Sequence, residues 1–214
     1  MTAAVSAGRR ILPSGERAVL VECGPDEDVL GLHAALTATR PDGVVDLVPA
    51  ARTVLVTVDP AHIALETASA WVARTPAATA AAASAEPVEL PARYDGDDLA
   101  GAAAAIGLAA DVLVAAHLAA TWRVAFTGFA PGFGYLVSDD WPYDVPRLAS
   151  PRTRVPAGSI GLAGPYSGVY PRESPGGWQL IGRTDVPLWD AAADPPARLV
   201  PGALVRFVRS EGGA

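Results

Sequence analysis

From Trp122 onward helical periodicity disappears, and residues 126–182 carry ten glycines and eight prolines among short apolar runs. No long helix tolerates breakers at that density, because proline removes a backbone donor and glycine loses the most freedom on ordering. Short runs such as 159–163 and 178–181, set between closely spaced turns, predict a β-barrel or sandwich, with 204–208 as its last strand.

The first third alternates periods instead. Residues 17–23 read as a strand and 26–40 as a helix with Val29, Leu32, His33 and Leu36 on one face. Residues 44–48 and 52–58 read as two further strands. Asp59-Pro60 then opens a second helix that buries Ile63, Ala64, Ala70, Trp71 and Val72. Closed by a strand at 88–90, this is a split βαβ, ferredoxin-like pattern, a fold that carries no chemistry by itself. The expected fold class is α+β: a ferredoxin-like α/β domain over 1–75, an Ala/Pro linker over 76–87, and a β-barrel domain over 88–214. Residues 99–121 are apolar enough to suggest a membrane span, but Asp111 and His117 interrupt them. Two short helices broken near Gly107, with Asp97 or Asp98 as cap, fit better.

Composition excludes several functions. All sixteen positive charges are arginines, and the net charge is −7. Without lysine there is no GxxxxGK[ST] phosphate loop, no Schiff base and no biotin attachment, and without a basic run no nucleic-acid footprint. The lone cysteine, Cys23, forms no internal disulfide and reads as a small buried hydrophobe, and no metal site is recognisable. Residues 1–10 lack the apolar stretch of a signal peptide, so a cytoplasmic protein off the membrane is expected.

Three strings carry the chemistry. Gly128-Phe-Ala-Pro-Gly-Phe-Gly-Tyr-Leu136 combines conformationally free glycines with the flat surfaces of Phe129, Phe133 and Tyr135, and exposed N–H groups in such a loop can bind an anion or carbonyl. The plainer reading is a tight, aromatic-packed turn. Residues 151–164 place Arg152 and Arg154 just before a strand, where a guanidinium fork suits carboxylate or phosphate. A solvated surface arginine is the plainer alternative. Tyr170-Pro-Arg-Glu-Ser-Pro-Gly-Gly-Trp178 then leads into Leu180-Ile-Gly-Arg-Thr184.

With these strings the chain resembles the 5-oxoprolinase B-subunit family, also called the KipI or allophanate hydrolase subunit 1 family. Residues 44–49, 58–60, 94–99 and His117 fall in the same order, so the resemblance covers nearly the whole chain. It implies a cyclophilin-like barrel and two partner proteins of the 5-oxoprolinase, a KipA-like C component and an A component. It also implies ATP-dependent opening of 5-oxo-L-proline to L-glutamate by the complex, with the ATP site shared with the partner. Tyr166 stands where the family commonly has glutamine.

Opening an unactivated lactam needs positive groups at developing phosphate charge and a preorganised pocket. Arg152 and Arg183 are therefore candidates to assist phosphate or carboxylate. Phe129, Pro131, Gly132, Phe133, Tyr135, Tyr170, Ser174 and Trp178 are candidates to bind substrate. His117 is a candidate base, or else a structural residue where helix meets barrel. Two other functions stay open: a KipI-like inhibitor of a sensor histidine kinase, and an allophanate hydrolase- or urea carboxylase-associated subunit.

Overall fold

The computed structural model describes residues 9–25, 27–78 and 86–210. The chain divides into two compact units, 1–84 and 85–214. Most of the expected linker, at 79–85, lies outside the described residues.

The first unit contains β1 (Arg10–Pro13), β2 (Ala18–Glu22), α1 (Val29–Ala38), β3 (Val44–Pro49), β4 (Thr53–Val58) and α2 (Leu65–Arg74). Its sheet runs β1-β2-β4-β3, antiparallel throughout. Alternation in β4 is clean: Val54, Val56 and Val58 are fully buried against Leu32, Leu36, Ala68 and Val72 of the helices. Asp28 caps α1 by accepting the Leu30 N–H at 3.0 Å.

Two expectations are corrected here. The strand that completes the ferredoxin-like sheet is β1, hairpinned onto β2, and not the strand at 88–90. The latter pairs in parallel with the last strand of the second unit. The second helix begins at Leu65, not at Pro60. Asp59 accepts the Ala61 N–H at 3.1 Å and meets His62 Nδ1 at 2.9 Å, and that local turn postpones the helix.

The second unit contains β5 (Val88–Ala92), α3 (Leu99–Ala105), α4 (Ala110–Ala119), β6 (Trp122–Thr127), β7 (Gly134–Val137), β8 (Arg152–Val155), β9 (Ser159–Ala163), β10 (Tyr166–Val169), β11 (Ser174–Gly176), β12 (Gln179–Arg183) and β13 (Leu204–Arg209). Seven strands form one sheet, β12-β9-β10-β7-β6-β13-β5, while β8 and β11 make a separate ribbon. Arg93 and Arg183 exchange backbone hydrogen bonds of 2.9 and 2.8 Å, joining the sheet's two edges into a barrel. The core is Trp122, Leu136, Ile160, Leu162, Ile181 and Phe207, covered by Ala102, Ala103 and Leu113 from the helices.

The helices α3 and α4 are bent by 88° about the break containing Gly107, whose φ is 74°. Among the described residues no single helix is long and apolar enough to cross a membrane. Asp98 occupies the cap position of α3 but makes no side-chain cap bond. Its carboxylate turns to the barrel, accepting from Arg152 Nη2 at 2.6 Å and from the Leu180 N–H at 2.7 Å.

Candidate functional site

The glycine-rich strings converge on one concavity of about 490 Å³ on the barrel. Six aromatic side chains line it: Phe129, Phe133, Tyr135, Tyr166, Tyr170 and Trp178. Their rings meet edge to face, Phe133 lying 5.4 Å from both Tyr170 and Trp178, and Tyr135 lying 5.7 Å from Tyr166. That geometry matches positive ring edges to negative faces. Phe133, Tyr170 and Trp178 are each more than nine-tenths buried with Val155 and Leu180 in a core of their own. The packed turn of the first string is thus also a wall of the pocket.

The sequence builds this wall by leaving Cβ atoms out. A Cβ on Gly176 would sit 2.4 Å from the Tyr170 hydroxyl oxygen, and one on Gly168 would sit 3.0 Å from the Phe133 ring. Burial raises the pKa of both Tyr135 and Tyr170, and the Arg147 charge opposes that shift. Both phenols therefore stay protonated donors at neutral pH.

Phe129 forms the rim. Its φ is 66°, and the Ala130 N–H bonds the Gly128 carbonyl at 2.7 Å, so Phe129 centres a γ-turn of the strained, positive-φ form. Its ring is 57% exposed. A bulky side chain in this region costs on the order of 1–2 kcal/mol, and such outliers gather at ligand clamps.

Other expected site residues lie elsewhere. Pro131 is exposed and Gly132 packs toward Leu188 and Trp189, neither lining the pocket. Ser174 belongs to the β8–β11 ribbon opposite Val155. Arg183 is half exposed and paired with Asp95 at 2.8 Å. Arg152 gives Nη2 to Asp98, while its Nη1 is buried without a hydrogen-bond partner. Both arginines thus hold the 94–99 segment to the barrel.

His117 lies fully inside the core. Nδ1 is 2.8 Å from the Tyr94 hydroxyl and Nε2 is 2.9 Å from Ser167 Oγ, bonds that a neutral ring satisfies by donating once and accepting once. Trp122, Trp141 and Phe207 enclose it, and burial pulls its pKa down to about 3. A general base must reach the proton it takes. Among the described residues this ring's hydrogen bonds go to Tyr94 and Ser167, where helix meets barrel.

The three strings do not include Arg147, which among the described residues is the one cationic side chain of the lining, with no Asp or Glu beside it there. Arg147 stands in a loop without a motif, so no sequence signal marks it. Among the described residues no group of three or more His, Cys, Asp or Glu is placed to hold a metal ion.

A family profile described as "Carboxyltransferase domain, subdomain C and D" matches residues 9–199. The B subunit of the Escherichia coli 5-oxoprolinase is 48% identical over 129 residues, which are 59% of this chain and 59% of that protein. Its counterpart from Bacillus subtilis is 42% identical over 125 residues, 57% of this chain and 52% of that one. The chain therefore spans less than two thirds of either relative's length. The crystal structure of TTHA0988 superposes with a TM-score of 0.78 at 33% identity, over 92% of this chain and 41% of that one.

Proposed function

The chain belongs to the family of carboxyltransferase domains, subdomains C and D, and from that premise we propose that it is the B component of a cytoplasmic, ATP-dependent 5-oxoprolinase. In this reading it acts with a KipA-like C component and an A component to open 5-oxo-L-proline to L-glutamate, and the barrel pocket is this chain's half of the ring site.

The observation that carries the reading is the pocket itself: among the described residues, a bed of six aromatics with one guanidinium and no carboxylate. A small flat ring with a negative substituent fits that chemistry, the ring on aromatic edges and the charge on arginine. The similarity to two 5-oxoprolinase B subunits supports the substrate. Partnership is supported by TTHA0988, in which this fold takes only 41% of a longer polypeptide.

The residues of this chain bind and orient. Tyr135 and Tyr170, held protonated, offer hydroxyl donors to a lactam oxygen, and the aromatic wall excludes water from the ring. That the chain has arginines but no lysine and no phosphate loop supports an ATP site shared with the partner. Arg152 and Arg183 serve this reading by holding the 94–99 segment to the barrel, through Asp98 and Asp95.

The test is glutamate formation dependent on both ATP and 5-oxoproline, measured with the chain alone, with the KipA-like component, and with both partner proteins. Turnover only in the full mixture is expected. Full turnover by the isolated chain refutes the shared site. No turnover, together with capture of a histidine kinase dimerisation domain, replaces the enzyme reading with the inhibitor one.

A further inference from the structure

Arg147 is placed by more constraints than an exposed loop arginine needs. On one side of it Val145 and Gly164 exchange backbone hydrogen bonds of 2.9 and 2.7 Å. On the other the Leu148 N–H bonds the Gly177 carbonyl at 2.9 Å, and Gln179 Nε2 donates to the Pro146 carbonyl at 3.1 Å. The loop is thus clipped to the β9–β10 turn and to the Gly-Gly-Trp segment, the two edges of the pocket. The side chain lies close over Gly177, where a Cβ would come within 3.3 Å of Nη2.

Its charge is also uncommitted. Arg93, Arg152, Arg154 and Arg183 each hold a carboxylate, whereas Arg147 has no carboxylate within ion-pair distance among the described residues. A free fork over an aromatic bed, with the Tyr135 and Tyr170 hydroxyls in its field, suits a planar carboxylate held by two parallel hydrogen bonds.

We propose that Arg147 is the specificity-determining residue of the pocket, binding the carboxylate of a flat-ring acid whose ring lies among Phe129, Tyr166 and Trp178. The proposal rests on the reading of this pocket as the ring site and adds what selects the ligand. A neutral lactam of the same ring would leave the guanidinium facing nothing, so the pocket discriminates by charge first and by ring second.

Calorimetric binding to the full chain and to the co-purified complex tests this with 5-oxo-L-proline, cyclopentanecarboxylate and 2-pyrrolidinone. Both acids are expected to bind at least about tenfold more tightly than 2-pyrrolidinone, the loss typical when a charged hydrogen-bonded pair lacks one member. Arg147→Gln should erase that difference with an unchanged melting temperature, and Arg147→Lys should restore part of it. Equal binding of the neutral lactam, a preference that survives Arg147→Gln, or no binding of either acid to chain or complex overturns the proposal. If the acids bind through Arg147 but the complex forms no glutamate, the specificity stands and the 5-oxoprolinase reading falls. If glutamate forms and Arg147→Gln leaves KM unchanged, the reverse holds.

Discussion

Asp98 accepts a 2.6 Å hydrogen bond from Arg152, a contact across 54 residues of sequence that fastens the start of α3 to the β8 strand. The same carboxylate takes the Leu180 N–H at 2.7 Å, so one side chain serves a guanidinium and a strand. Asp98→Ala leaves both donors without their acceptor and is expected to cost about 2–3 kcal/mol, read from urea denaturation. Arg152→Ala should cost less, because Asp98 keeps the Leu180 N–H.

His117 makes stability depend on pH. Its folded pKa of about 3 lies below the ordinary 6.5, so the unfolded chain takes up a proton that the folded chain refuses. The stabilising effect of the neutral ring is complete above pH 6.5 and is lost as pH falls toward 3. Between pH 7 and pH 5 the loss should be about 2 kcal/mol. His117→Gln removes this component, and the comparison of urea midpoints at the two pH values checks it.

Phe129 holds a strained backbone at the rim of the pocket. Phe129→Gly relieves a positive φ and gives up a ring that is already 57% exposed. Thermal unfolding should show a gain of up to about 1 kcal/mol. Turnover of the complex should fall at least about tenfold, the loss expected when an aromatic wall is removed from a binding site.

Gly176 is fixed by Tyr170. A methyl group 2.4 Å from the phenol oxygen forces the Tyr170 ring, 2% exposed, to move. Gly176→Ala is therefore expected to destabilise by about 1–3 kcal/mol and to impair ligand binding together with stability. Calorimetric binding and melting measured on one preparation check both.

Local features of the fold were readable from sequence. The alternating valines of β4, the break at Gly107 and the buried Cys23 all follow from neighbours a few residues away. Non-local pairings were not readable. Nothing near Val88 shows that β5 pairs in parallel with β13 more than a hundred residues later, nor that Arg10–Pro13 fills the vacant sheet edge. The α2 start was misread because Asp59 closes a local turn that competes with Pro60. At the site, aromatic–glycine strings marked five of the six ring walls. Arg147 carries no such signature, since its placement comes from backbone bonds of its neighbours Val145 and Leu148 to Gly164 and Gly177, in turns that only the barrel brings together. Asp98 reads as a cap from sequence because only the folded barrel shows where its carboxylate turns.

The most direct check of the half-site is the accessibility of its rim. Cys23 is buried and its thiol pKa is pushed up to about 11, so a cysteine introduced by Phe129→Cys should be the one readily labelled thiol. Its alkylation rate should fall at least about tenfold on addition of the KipA-like component, for complete burial at an interface excludes the reagent. A control cysteine from Val45→Cys, at a position 53% exposed in the first unit, reports general loss of reagent access. Protection at the rim alone is the predicted result, and an unchanged rate at residue 129 in a complex shown to have formed contradicts the account.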